Sequence, residues 1–216
     1  MQTRAYRLCV RVLRQPDDPY IPLLAGDCAH CMRQALDHFA YSLAIAVNKA
    51  DPPPNWEGTQ FPITSSRTKF DGGIAEKIGR KKLMPTGLYD ALEQLQPYHG
   101  GDRKLLGALH ALDNLDKHRF PPLVAGIGEV RRFNIGYLSA SGGLQAPMLG
   151  AIEDGQPILQ YVPTPGSEQK FDWEVAYSVA FDRRFPPTGG QVVVPFLATI
   201  RHFIRDQVLT PLEAYL

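Results

Sequence analysis

Cysteine is scarce in this chain: three residues, Cys9, Cys28 and Cys31, among 216. So few, and an odd number, argue against a disulfide framework and for a reducing compartment, so a cytoplasmic location is expected. An excess of charge of one sign is also lacking. Lys and Arg number 23 against 22 Asp and Glu, a net charge of +1. Surfaces that bind nucleic-acid phosphates ordinarily carry a strong basic excess, so net charge does not indicate a nucleic-acid partner. The nearest basic patch, Lys77, Arg80, Lys81 and Lys82, reads as a solvated helix end. No run approaches the ~20 apolar residues that span a bilayer. The N-terminal stretch alternates polar and apolar residues without a continuous signal core, so no membrane association is expected. The chain contains no G-x-G-x-x-G, no P-loop and no G-x-S-x-G, which leaves dinucleotide, Walker-type and α/β-hydrolase chemistry without a foothold. No cofactor is expected.

What is present is ordinary globular material, 44% hydrophobic and 21% charged, enough for one domain over 1–216. Tyr6, Leu8, Val10 and Val12 alternate with Arg7, Cys9 and Arg11, the period of a half-buried strand. A first long helix is expected over 24–48, with Cys28, Met32, Ala35, Leu36, Phe39, Leu43 and Val47 as its apolar stripe. Asp51-Pro52-Pro53-Pro54-Asn55 ends it. Residues 52–72 read as an irregular connection anchored by Trp56, Phe61 and Ile63. A short helix capped by Thr86 runs to Gln96, and another, capped by Asp102, runs to about His118.

After residue 122 the pattern changes to strands. Segments near 147–153 and 157–163 flank the hairpin-type turn Asp154-Gly155. Phe171, Trp173, Val175, Tyr177, Val179 and Phe181 alternate with smaller or polar residues. Val193, Leu197, Ile200, Ile204 and Val208 then carry helical spacing over 191–213. The chain thus divides into helical segments over 24–119, a strand-rich segment over 123–182 and a C-terminal helix. The expected class is α+β: an antiparallel sheet of about five strands packed against three long helices, 24–48, 102–118 and 191–213.

Polar residues inside the helical stripes carry the functional signal. Leu105, Leu109 and Leu112 form a buried line that continues onto Asp116, with Arg119 close by. A buried carboxylate needs a partner. Arg33 and Asp37 stand four apart at the border of the first helix's stripe. The economical arrangement joins Arg33, Asp37, Asp116 and Arg119 in one ion-pair network. Breaking it by Asp116→Ala should then cost roughly 3 kcal/mol.

The segments Gly26-Asp27, Arg33-Gln34-Ala35-Leu36-Asp37-His38, Phe61-Pro62-Ile63, Gln96-Pro97-Tyr98 and Asp116-Lys117-His118-Arg119 resemble, in order, the signature of a family of uncharacterised bacterial proteins. The resemblance covers roughly residues 5–120 and implies no particular activity. It suits a non-catalytic binding or accessory module with a structural Arg/Asp/His network. A catalytic alternative uses His38 and His118 as general acid and base, oriented by Asp37 or Asp116, with Arg33 or Arg119 stabilising a phosphate charge. Arg33 and His38 have the R-x4-H spacing of HEPN-type ribonucleases. They depart from that pattern in lying on the first long helix and in having Gln34 after the arginine. The pair diverges by roughly 140° on a helix, so a homodimer or a helix irregularity would have to bring two copies together. A second alternative, a metal-dependent hydrolase, would draw ligands from Asp27, His30, Gln34 and His38 with His110 or Asp113, although no His-x3-His or Glu-x-x-His is present. Cys28 and Cys31, a C-x-x-C without a βαβ context, read as small buried hydrophobes.

Overall fold

A computed structural model describes residues 6–117, 119–136, 143–144, 149–161 and 170–216. The chain forms two compact units, Met1–Pro19 with Pro122–Pro195 and Tyr20–Pro121 with Phe196–Leu216. Strands collect in the first and helices in the second. Among the described residues no helix is long and apolar enough to cross a membrane.

The strand unit holds β1 (Tyr6–Cys9), β2 (Leu123–Gly136), β3 (Gly143–Leu144), β4 (Gly150–Ala151), β5 (Pro157–Tyr161) and β6 (Lys170–Phe181). These make two three-stranded antiparallel sheets, ordered β1-β5-β3 and β4-β2-β6, in place of the single sheet of about five expected. The reason lies at Asp154-Gly155. A turn does form there, with the Gln156 amide donating to Glu153 O. Its two flanks then pair elsewhere, β4 with β2 and β5 with β1. The chain after β1 takes the bonds a hairpin partner would have made, Gly155 N to Val10 O and Val10 N to Gln156 O, at 2.9 and 2.8 Å. The long β2–β6 ladder runs from Leu123↔Phe181 to Gly136↔Lys170 with two register shifts. Tyr177 stays exposed despite its place in the apolar alternation. It lines an open pocket with Leu13, Ile127 and Ile152. Residues 147–148 and 162–163 of the expected strands lie outside the described residues.

In the helical unit, α1 spans Tyr20–Asn48. Its buried face is Ala25, Gly26, Ala29, Arg33, Leu36, Ala40, Leu43, Ala44 and Val47. The expected stripe is therefore rotated by about one residue: Leu36, Leu43 and Val47 keep their places, but Ala29, Arg33 and Ala40 replace Cys28, Met32 and Phe39. Small residues let a neighbouring helix approach closely, and that close packing outweighs the greater apolar surface of Met and Phe. Cys28 and Cys31 are consequently free and exposed, contrary to expectation.

Helix α2 (Arg67–Lys77) interrupts the connection expected to be irregular, its N-cap Ser66 accepting from the Lys69 amide. Phe61 and Ile63 anchor that connection in the core, whereas Trp56 is exposed. Helix α3 (Leu88–Gln94) starts after Gly87, not Thr86. A 3-10 turn over Gly101–Arg103 leads into α4 (Lys104–Asp116), with no side-chain cap from Asp102. The last segment begins as α5 (Val193–Phe203) and widens into a π-helix over Ile204–Leu209. Pro211 has no amide to donate and its ring crowds the preceding turn. The Thr210 amide and hydroxyl both turn to Arg205 O instead. Of the expected residues Val193, Ile200, Ile204 and Val208 are buried and Leu197 is half-buried, so the apolar spacing of this segment largely held even though its helix type changes. Of the three long helices expected, only α1 keeps its full regular length.

The packing makes a specific forecast. Ala29→Leu should lower stability by about 1–3 kcal/mol through overpacking, while Cys28→Ser, one residue away, should change it by no more than about 0.5 kcal/mol. Urea unfolding midpoints of the two variants measure the difference.

Candidate functional site

Phe61, Pro62 and Ile63 are all buried, yet they belong to no helix or strand. Buried backbone polar groups need partners, and here side chains supply them. The Arg33 guanidinium donates through Nη2 to Phe61 O at 3.0 Å, and Asp37 Oδ1 accepts from Phe61 N at 2.8 Å. Arg33 and Asp37 also pair with each other, Nη2–Oδ1 at 2.8 Å and Nε–Oδ2 at 3.1 Å, a two-pronged contact that holds both rotamers. From the other side, the fully buried Gln96 donates to Pro62 O (2.8 Å) and Leu92 O (2.9 Å). Its Oε1 accepts from Thr64 N (2.9 Å) and Thr64 Oγ1 (3.1 Å). Two side chains from α1 and one from just beyond α3 thus do for this segment what neighbouring strands do in a sheet.

Helices α1 and α4 run antiparallel, as their contacts show. A Cβ on Gly26 would lie 1.9 Å from Asp116 Oδ1, and His30 Nδ1 meets Asp113 Oδ1 at 2.8 Å. The buried acid of α4 is Asp113, only 2% exposed in its side chain. Lys117 Nζ bonds its other oxygen at 2.8 Å. Burial works against ionisation of Asp113, but the bonds from Lys117 and His30 outweigh it and hold the carboxyl below its ordinary range. On α4 the buried line runs through Leu106, Leu109 and Leu112, which selects Asp113. Starting from Leu105 selects Asp116, and Leu105 is only half-buried.

The expected four-membered network is therefore corrected. Arg33 and Asp37 pair as expected. Asp116 is half-buried against Gly26, and its carboxylate makes no hydrogen bond or ion pair among the described residues. Arg119 is exposed, His38 is exposed, and His118 lies outside the described residues. The acid bonded across the helix pair is Asp113, and its partner on the first helix is His30. The second His30 nitrogen meets Gln34 Nε2 at 2.9 Å. Among the described residues no group of three or more His, Cys, Asp and Glu side chains is placed to hold a metal ion.

One buried acid was missed altogether. Glu93 on α3, 3% exposed, accepts from Tyr98 Oη (2.7 Å) and meets His99 Nε2 (2.8 Å) and Arg67 Nη1 (3.1 Å). Burial opposes its ionisation, yet these donors keep its pKa below the ordinary value. Asp71 bonds Arg67 and the Tyr89 hydroxyl beside it. The signal in the sequence was the pair Leu92-Glu93 next to Tyr98 and His99, a carboxylate adjoining an apolar position with two ring donors shortly after.

Segments far apart in the sequence meet here: Arg33 and Asp37 on Phe61, Gln96 on Pro62 and Thr64, and Asp116 on Gly26. No family model, no curated protein and no solved structure matches the chain.

Removing Asp113 leaves Lys117 and His30 without their partner. Both are partly solvated, so Asp113→Ala should cost about 2–3 kcal/mol, below the full value for a buried pair, while Asp116→Ala should cost under about 1 kcal/mol. Equilibrium denaturation at neutral pH ranks the two. Because the folded pKa of Asp113 is depressed, its contribution is complete above the unfolded value of about 3.9 and is lost as pH falls through the folded one. The stability gap between wild type and Asp113→Asn should accordingly narrow below about pH 4.

Proposed function

We propose that this chain is a non-catalytic binding or accessory module, akin to the bacterial family whose signature it resembles, in which the Arg/Asp/His/Gln network is structural. The observation that carries this reading is the engagement of Arg33. It is 6% exposed, and its Nε and Nη2 are bonded to Asp37 and Phe61 O. Asp37, the residue that would orient His38 in the catalytic alternative, is bonded to Phe61 N. A phosphoryl-transfer role needs that guanidinium to face substrate alongside His38, but His38 is exposed and Arg33 buried. The helix spacing that separates the two in the sequence also separates them in their surroundings. Free, exposed Cys9, Cys28 and Cys31 suit a reducing, cytoplasmic setting.

The reading has two measurable consequences. Arg33→Met removes the donor to Phe61 O and should lower stability by about 2–4 kcal/mol. The Phe61 and Thr64 amides should also exchange slowly with solvent despite lying outside regular structure, with Phe61 protection lost in Asp37→Ala. Single-stranded RNA incubated with the purified chain should remain intact. Cleavage that disappears in His38→Ala would overturn the structural reading in favour of the nuclease.

A further inference from the structure

We propose that the helical unit binds a short zwitterionic peptide, a di- or tripeptide with apolar side chains, in the pocket between α3 and the C-terminal helical segment. The pocket has a volume of about 750 Å³, towards the larger end of small-molecule sites. All of its lining residues belong to the helical unit.

Two helices supply its walls. On one side Ala91, Gln94 and Leu95, spaced i, i+3 and i+4, share a face of α3 and its C-cap. On the other stand Phe203, Gln207 and Pro211, spaced by four. Residues four apart drift by about 40° per step around an α-helix. The π turn over Ile204–Leu209 holds more residues per revolution, which offsets that drift and keeps the three on one wall. Pro211 and the double engagement of Arg205 O by Thr210 fix the wider turn in place. Such turns recur at functional sites, and this one shapes a pocket. Buried Leu212 and half-buried Leu95 and Phe203 give it an apolar lining.

The polar groups at the pocket select the ligand. Arg103 is half-buried, and its Nε donates to Gln94 O, which anchors the guanidinium there. Its Nη1 and Nη2 make no bond among the described residues, nor does the carboxylate of the neighbouring Asp102, and the two do not pair with each other. A separated cation and anion at one pocket match a ligand whose own opposite charges are separated, as the two ends of a short peptide are. The guanidinium offers a carboxylate a two-pronged bond, and Asp102 accepts from an ammonium. Between those ends lies a peptide bond, with a donor and an acceptor of its own. Gln94 gives Nε2 to Glu93, so its Oε1 is left to accept the peptide N–H. The Gln207 side chain makes no bond among the described residues, and its Nε2 serves the peptide C=O. Other ligand classes fit worse. An apolar molecule would strip water from Arg103 and Asp102 without replacing it, and a phosphate would meet the Asp102 carboxylate.

The inference rests on the binding reading above and is tested separately from it. Calorimetric titration of the full chain with leucyl-phenylalanine and alanyl-leucyl-phenylalanine should give saturable binding. N-acetylation or C-amidation of either peptide removes one charge and should weaken binding roughly tenfold, the scale of losing one charge-assisted bond. Asp102→Asn, an exposed substitution, should weaken the free peptides as much but leave the N-acetylated ones unchanged, since their ammonium is already gone. Arg103→Gln should weaken the free peptides and leave the C-amidated ones unchanged. Circular dichroism checks that both variants fold. No saturable binding at millimolar peptide, equal binding of free and capped peptides, or an Asp102→Asn variant that treats them as wild type does would each overturn the assignment. Peptide cleaved during the titration, with the capping pattern intact, would instead sink only the non-catalytic reading.

Discussion

The helical unit depends on one constraint: a non-repetitive stretch of backbone, Phe61 to Thr64, runs through or beside its core. Such a stretch has no ladder of its own, and unpaired peptide groups in an apolar interior are strongly unfavourable. Arg33, Asp37 and Gln96 answer that need with side-chain donors and acceptors. The consequence for α1 is that its most buried face must include an arginine, and the consequence for α3 is that its end must deliver a buried glutamine. These polar residues thus complete the hydrogen bonding of a buried backbone stretch.

The same constraint organises the charge between α1 and α4. Arg33 brings a full positive charge into the core, and Asp37 neutralises it locally through a short two-pronged bond. One turn away, Asp113 sits in the helix pair with His30 and Lys117 at its two oxygens. Each buried carboxylate in this unit, Glu93 included, stays ionised because specific donors outweigh the cost of burial. His110 is the contrasting case: burial first, then the nearby Arg33, Lys77 and Lys117 charges, push its imidazole below the ordinary histidine range. The polar interior is therefore patterned, with satisfied carboxylates at two places and, among the described residues, two buried nitrogens without a hydrogen-bond partner, Arg33 Nη1 and His110 Nδ1.

Close helix approach makes this pattern possible. Of the nine buried residues of α1, four are alanine and one is glycine. At Gly26 a methyl group would collide with the Asp116 carboxylate. Larger side chains there would push α4 away and lengthen the His30–Asp113 bond beyond useful range. Packing of small residues and pairing of charges thus depend on each other, a coupling that single-residue hydrophobicity does not register.

Local rules determined a good deal of this protein from its sequence alone: the mixed class, the helix over 24–48 ended by its proline run, the Phe61 and Ile63 anchors, the apolar spacing of the last segment, and the Arg33–Asp37 pair. Each follows from periodicity, proline geometry or an i, i+4 spacing, and these act within one element. Tertiary structure decided the rest. It chose Ala29 over Cys28 and Asp113 over Asp116, because the rotation of a helix about its axis is set by what packs against it. It sent the two sides of Asp154-Gly155 to different sheets, because the chain after β1 competed for the same backbone groups. It also bonded Arg33 to the backbone of a distant loop. The acceptor it bonds, Phe61 O, comes from a loop 28 residues away, and no spacing rule on one helix reaches that far.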